Sequence, residues 1–493
     1  MNSRRYIYKL IVFLGGFGCF LASCSENTFD TKEVDKYPFI WPDYKDITIP
    51  CNIAPLNFAL KEEHSDAYVL LQGRKLSVRV KERNSQFSIS ENQWRKLLED
   101  VKGDSIKVTI ALLNNEEWFS YKPFCMKVAQ DSIDPYLAYR LIEPGYELWN
   151  EMGIYQRNLE SYEEEAIYEN KLTKQNCVNC HSFCMQDPEK MLFHMRADFA
   201  CTILVDGDKL EKLNTKTDKT ISSLVYPSWH PSGKYVAFSV NTTKQAFHTN
   251  NENRIEVFDQ ESDVVVYDVE KHEIITCASL FSKERFETFP TFSPDGKTLY
   301  FCTANAYPMP EYYKEVKYNL CSIEFNPEDR SFGRTIDTVY NARKEGKSVS
   351  FPRVSPDGRY LLYTLSGYGN FSIWHKDADL CMMDLKGREL KDMSIINSQD
   401  VESYHSWSSN SRWFVFSSRR IDSLYTRLYI GYIDKDGRLH TPFLLPQKDV
   451  SLYHRLMKSY NVPELIKGKV SQSKYKIALK AKKDPGIQIK SAF

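Results

Sequence analysis

The chain has 493 residues, with 65 basic and 65 acidic side chains and a pI near 7.1. Balanced charge gives no electrostatic support to nucleic-acid binding, which needs a basic face. The length allows two or three domains, and no segment has the 18 consecutive apolar residues of a membrane-spanning helix.

The N-terminus reads as an export signal. Arg4, Arg5 and Lys9 precede an apolar run from Leu10 to Leu21, interrupted by Gly15, Gly16 and Gly18. That run has signal-core length. It ends in Leu21-Ala22-Ser23-Cys24, which resembles the lipobox of bacterial lipoproteins. The resemblance implies cleavage after residue 23, acylation of Cys24 and a lipid anchor in the bacterial cell envelope, on the outer membrane or a periplasmic face. Two acyl chains anchor a protein stably. Removing the signal leaves the mature chain near −3.

After a linker over 24–44, a small α+β or β-sandwich module is expected over 45–140. "RKLSVRVKE" (74–82) and "SIKVTIALL" (105–113) alternate like half-buried strands. Between them "SENQWRKLLEDVKG" (90–103) predicts a helix with Ser90 and Gln93 as a capping box. Trp94, Leu97, Leu98 and Val101 share one face, and Gly103 ends it.

A connecting segment over 141–190 carries "KQNCVNCHSFC" (174–184). Cys177-Val178-Asn179-Cys180-His181 is similar to the attachment site of c-type cytochromes. The resemblance implies one covalent haem c, with thioethers on Cys177 and Cys180 and His181 as proximal iron ligand. His194 is the preferred sixth ligand, from "CMQDPEKMLFHMR". Met185, Met191, Met195, His230, His248 and His405 are further options. Two other readings stay open: a zinc site on Cys177, Cys180, His181 and Cys184, or a Cys177–Cys180 disulfide. The remaining cysteines are scattered and read as small buried hydrophobes.

The second half repeats. "YPSWHPSGKYVAFSV" (226–240), "FPTFSPDGKTLYFCT" (289–303), "FPRVSPDGRYLLYTL" (351–365) and "YHSWSSNSRWFVFSS" (404–418) share an aromatic-Pro or aromatic-His entry, a tight turn and an apolar strand. Pro-Asp-Gly suits the turn because proline presets φ and glycine accepts positive φ. Each copy is followed by a second strand pair, so the unit is four strands at a period of 53–63 residues. That is a β-propeller signature. The repeats resemble those of TolB-like propellers over roughly 190–450.

The expected fold is therefore mainly β, a propeller of five or six four-stranded blades over 191–450. "RADFACTILVDGDKLEKLN" (196–214) reads as an outer half-blade, expected to close the ring with strands near the C-terminus. Residues 451–493 read as a solvated basic tail, with eight lysines against Asp484 alone from Ile466 onward.

No G-x-S-x-G, H-E-x-x-H or P-loop motif is present. The functional expectation is thus a lipid-anchored electron carrier or redox sensor, docking envelope proteins or a redox partner through its propeller. The alternatives are a non-redox scaffold binding proteins or glycans, and a propeller enzyme acting on polysaccharide or peptide.

Overall fold

The computed structural model describes residues 31–143 and 150–493. The signal segment and Cys24 lie outside the described residues.

Six four-stranded antiparallel blades form the ring. Each of blades 2 to 6 is continuous in sequence. Their inner strands are Val178–Phe183, Leu224–Trp229, Arg285–Phe292, Ser348–Val354 and Glu402–Trp407. Blade 1 is split. Tyr136–Ile142, Gly153–Asn158 and Glu164–Glu169 supply its outer three strands, and Ser459–Ile466 returns from the far end of the chain as its inner strand. The ring thus spans Tyr136–Ile466, more than the 191–450 read from the repeats. Closure falls on blade 1, not on the expected half-blade. That half-blade, Cys201–Asp206 and Lys209–Asn214, completes blade 2 with Val178–Phe183 and Lys190–Met195.

The basic tail is not solvated. Helix Lys474–Lys483 lays Ile477, Ala478 and Ala481 into the core shared by blades 1 and 2. Lys212 Nζ caps its end by bonding the carbonyls of Ala481 and Asp484. Ile487–Gln488 and Lys490–Ser491 then add parallel edge strands to blades 2 and 3. The lysines keep their heads outward while the apolar positions staple three blades.

The N-terminal module is a seven-stranded sheet with one helix, Glu91–Asp100, packed by Trp94, Leu97 and Leu98. Gly103 follows at φ 77° as expected, but the Ser90 side chain makes no capping bond. One core joins this module to blades 6 and 1, with Trp94, Trp413 and Tyr460 all in it. Tyr44 Oη donates to the Leu444 carbonyl, and Asn57 Nδ2 donates to that of Lys448. Module and ring are therefore one packed body.

Candidate functional site

All six inner strands carry the same irregularity. The ladder to the next strand slips by a β-bulge in each blade. At each bulge one non-glycine residue takes positive φ: Cys180, Tyr226, Phe289, Phe351, Tyr404 and Val462. A bulge re-aims a side chain, and here it turns six of them into the channel, where all six line one central cavity. Four are aromatic and touch in series. Ring centroids lie 4.6 Å apart for Tyr226–Phe289, 4.3 Å for Phe289–Phe351 and 4.7 Å for Phe351–Tyr404. Val462 and Cys180 complete the circle.

Aligned on this residue, the six inner strands read Cys180-His181-Ser182-Phe183, Tyr226-Pro227-Ser228-Trp229, Phe289-Pro290-Thr291-Phe292, Phe351-Pro352-Arg353-Val354, Tyr404-His405-Ser406-Trp407 and Val462-Pro463-Glu464-Leu465. The cysteine–histidine pair is thus the blade entry of blade 2. Cys180 stands where four blades have an aromatic, and His181 stands where four have proline.

The cavity among these residues measures about 70 Å³. That is room for a few waters and far below the ~300–1,000 Å³ of pockets for larger ligands. Arg140 from blade 1 and Arg353 from blade 5 line it together with Asn179 and His181. Arg140 Nη1 donates to Asn179 Oδ1, while its Nε is buried without a partner. The His181 imidazole is 2 % exposed and lies by the Val462 backbone, but neither ring nitrogen makes a hydrogen bond of acceptable geometry. Burial, then the Arg140 charge, hold it down to about 3. Burial pushes the Cys180 thiol up.

These placements correct the haem expectation. The Cys177 side chain is packed between blades 1 and 2 with Phe193, Met195 and Cys201, whereas Cys180 faces the channel cavity. One porphyrin cannot meet two thiols in separate spaces, and the cavity beside Cys180 and His181 has no room for a macrocycle. The residues therefore do not fit haem c, and the reading as an electron carrier falls with it. Among the described residues no three His, Cys, Asp or Glu side chains are placed to hold a metal ion, which also removes the zinc alternative. The ten described cysteines are free thiols.

His194 is not brought to His181. It lies on the second strand of blade 2, opposite Asn179, with Nδ1 3.3 Å from Thr202 Oγ1. Met191 and Met195 fill the core between blades 1 and 2, and Met185 is at an exposed turn. His230 serves packing between blades. Its Nε2 bonds the Gly296 carbonyl at 3.1 Å, and a Cβ on Gly296 would meet that nitrogen at 2.2 Å. His405 Nε2 bonds the Leu362 carbonyl at 2.9 Å. His248 ends the long strand-pair extension of blade 3, with its Nε2 buried and unpartnered. The sequence reading missed Arg140, Asn179, Arg353 and the four aromatics. For all but Arg140 the signal was the alignment of "CHSF" and "VPEL" with the four visible repeats.

The matched histidines yield a contrast. His181→Pro restores the residue found at this place in four blades and removes an unpartnered imidazole, so a gain of about 1 kcal/mol is expected. His405→Pro discards a made hydrogen bond and should lose about as much. Urea melts of the two variants check this.

Buried carboxyls set the pH response. Burial raises Asp259 and Asp263 to about 6, Glu464 to about 7 and Glu287 to about 8. Both Glu287 oxygens are buried without a hydrogen bond, although Arg285 Nε is 3.3 Å away. A raised carboxyl lends stability below its unfolded value near 4 and loses it as pH rises through the folded value. His181, His194 and His405, held near 3, act oppositely but only below their unfolded value near 6.5. From pH 6.5 to 8.5 the acids dominate and stability should fall. Glu287→Gln should flatten that slope and raise the melting temperature at pH 8 by about 2–4 °C, read by calorimetry across the range.

No family model and no curated protein matches the chain. Solved structures do. The tricorn protease is 12% identical at a TM-score of 0.35, over 70% of this chain and 34% of that one. Dipeptidyl peptidase 4 of Porphyromonas gingivalis is 12% identical at 0.33, over 72% and 60%. A DUF4784 family protein from Bacteroides caccae is 7% identical at 0.31, over 73% and 96%. The likeness is one of fold. The chain spans about a third of the tricorn protease and less than two thirds of the peptidase.

Proposed function

We propose that this protein is a non-redox recognition propeller of the bacterial cell envelope, held by a lipid on Cys24, that binds a peptide or glycan partner at its channel. The lipobox-like Leu21-Ala22-Ser23-Cys24 and the TolB-like repeats support the placement. The channel carries the functional half of the reading. It is closed by six inward side chains and keeps beside them a small cavity with buried, unpartnered nitrogens on Arg140 and His181. Unpartnered buried polar groups cost stability, and a recognition site gives them a use.

An enzyme reading is weaker. A cysteine nucleophile needs a thiolate, favoured by a neighbouring imidazolium. Here burial drives the Cys180 thiol up and the His181 imidazole down, so both stay neutral near pH 7.

The test applies residues 25–493 to arrays of envelope peptides and of glycans. Specific retention of one class, with no turnover of it, is expected. Blank arrays, or cleavage of the retained ligand, would overturn the reading. Palmitate labelling of the full-length chain should be lost in Cys24→Ala.

A further inference from the structure

Resting on the recognition reading, we infer that the channel cavity is a binding site for a small carboxylate group, held by Arg140 and Arg353. The charged lining of the cavity consists of these two guanidinium groups and no acid. Arg140 is 6 % exposed and keeps a buried Nε without a partner, while Asn179 Oδ1 occupies its Nη1. Arg353 spends Nη1 on the Pro352 carbonyl at 3.1 Å. The buried Glu464 attracts it, and one oxygen of that carboxyl already accepts from the Phe183 amide. Asp259, which acts on Tyr226 from the blade 3 extension, is already bonded by Asn241, Asn370 and Tyr318.

Two guanidinium groups facing a cavity with no acid in its lining, and only Glu464 acting on Arg353 from outside it, give the cavity a positive field that the enclosing apolar rings cannot screen. The planar fork of arginine matches a carboxylate. The aromatic wall of Tyr226, Phe289, Phe351 and Tyr404 suits the carbon stem of such a group better than it suits a bare halide or a fully hydrated sulfate. The volume, about 70 Å³, admits a terminal group and not a whole side-chain-bearing residue. The occupant is therefore the end of a ligand: a free carboxylate on a short apolar stem.

Two measurements on the mature chain test this. The first titrates ¹³C-acetate at constant ionic strength and reads NMR line broadening. Saturable broadening is expected for the native protein. It should weaken about tenfold in Arg140→Gln and persist in the surface control Arg359→Gln. Absence of broadening, equal displacement by chloride, or an unchanged response in a folded Arg140→Gln would overturn the site.

The second needs no variant. Cys180 lines the cavity, and Cys125 is exposed to solvent. The ratio of iodoacetate to iodoacetamide alkylation, mapped by mass spectrometry, should be about tenfold higher at Cys180 than at Cys125. Equal ratios, or no reaction of either reagent at Cys180, would overturn the site. The two proposals separate cleanly. Acetate binding with blank arrays removes the partner class and keeps the site. Array binding without acetate binding does the reverse.

Discussion

A chain ending at Lys458 should not fold. It lacks Ser459–Ile466, the inner strand of blade 1, and with it Tyr460, Leu465 and Ile466, each at most 2 % exposed. Burying these three contributes about 6–8 kcal/mol at ordinary transfer values, comparable to the whole ~5–15 kcal/mol stability of a domain. The deletion also opens the ring, leaving one edge of Tyr136–Ile142 unpaired. A chain ending at Gly468 keeps the closing strand and should fold. It loses buried Val470 with its two bonds to Gln156, the staple made by Lys474–Lys483 and the two edge strands, so its melting temperature should drop by about 5 °C. Circular dichroism melts of the two truncations decide between this closure and one through the outer half of blade 2. A cooperative melt of the shorter chain would exclude closure by Ser459–Ile466.

The four blades visible in the sequence are those whose inner strands end in a turn of Ser-Pro-Asp-Gly type or a near variant, where Gly233, Gly296, Gly358 and Ser411 adopt positive φ. Blade 2 makes a different turn without glycine, with positive φ at Met185 (49°) and Gln186 (59°) and not at Asp187, which stands in the glycine's place, so its copy lacked the marker. Blade 1 has no such turn at all, since its inner strand comes from a segment 317 residues after the end of its second strand. What remained legible in both was the four-residue entry, and there two substitutions disguised it. Cysteine replaced the aromatic at 180 and histidine replaced proline at 181. With Cys177 upstream, those changes compose a haem-attachment spelling out of a propeller strand. The compartment suggested by the N-terminus made that spelling attractive. Spacing alone does not report that Cys177 and Cys180 are separated by a bulge that sends them into different spaces. Arg140 was illegible for another reason. It lies on the second strand of a blade whose inner strand is remote in sequence, so no local pattern places it at the axis.

The ring of six inward residues predicts a cost graded by what each contributes. Phe351 is 5 % exposed and sits between Phe289 and Tyr404, in ring contact with both. Phe351→Ala removes both contacts and enlarges the central cavity, which costs about 3–5 kcal/mol by the usual measure for a buried phenylalanine. It also places alanine at φ 53°, so the strain held by the native contacts is no longer compensated. Cys180→Ala keeps the backbone and loses one sulfur, so about 1 kcal/mol is expected. Chemical denaturation of the two variants side by side gives the ratio. Were the cysteine a functional anchor with its own local structure, its removal would cost as much as the aromatic, and equal losses would reject the blade alignment. A large loss at Phe351 with a small one at Cys180 instead means that the aromatics carry the closure of the channel. The thiol position is then the weakly packed gap in the ring, the sector where the cavity, Asn179 and the Arg140 guanidinium lie together.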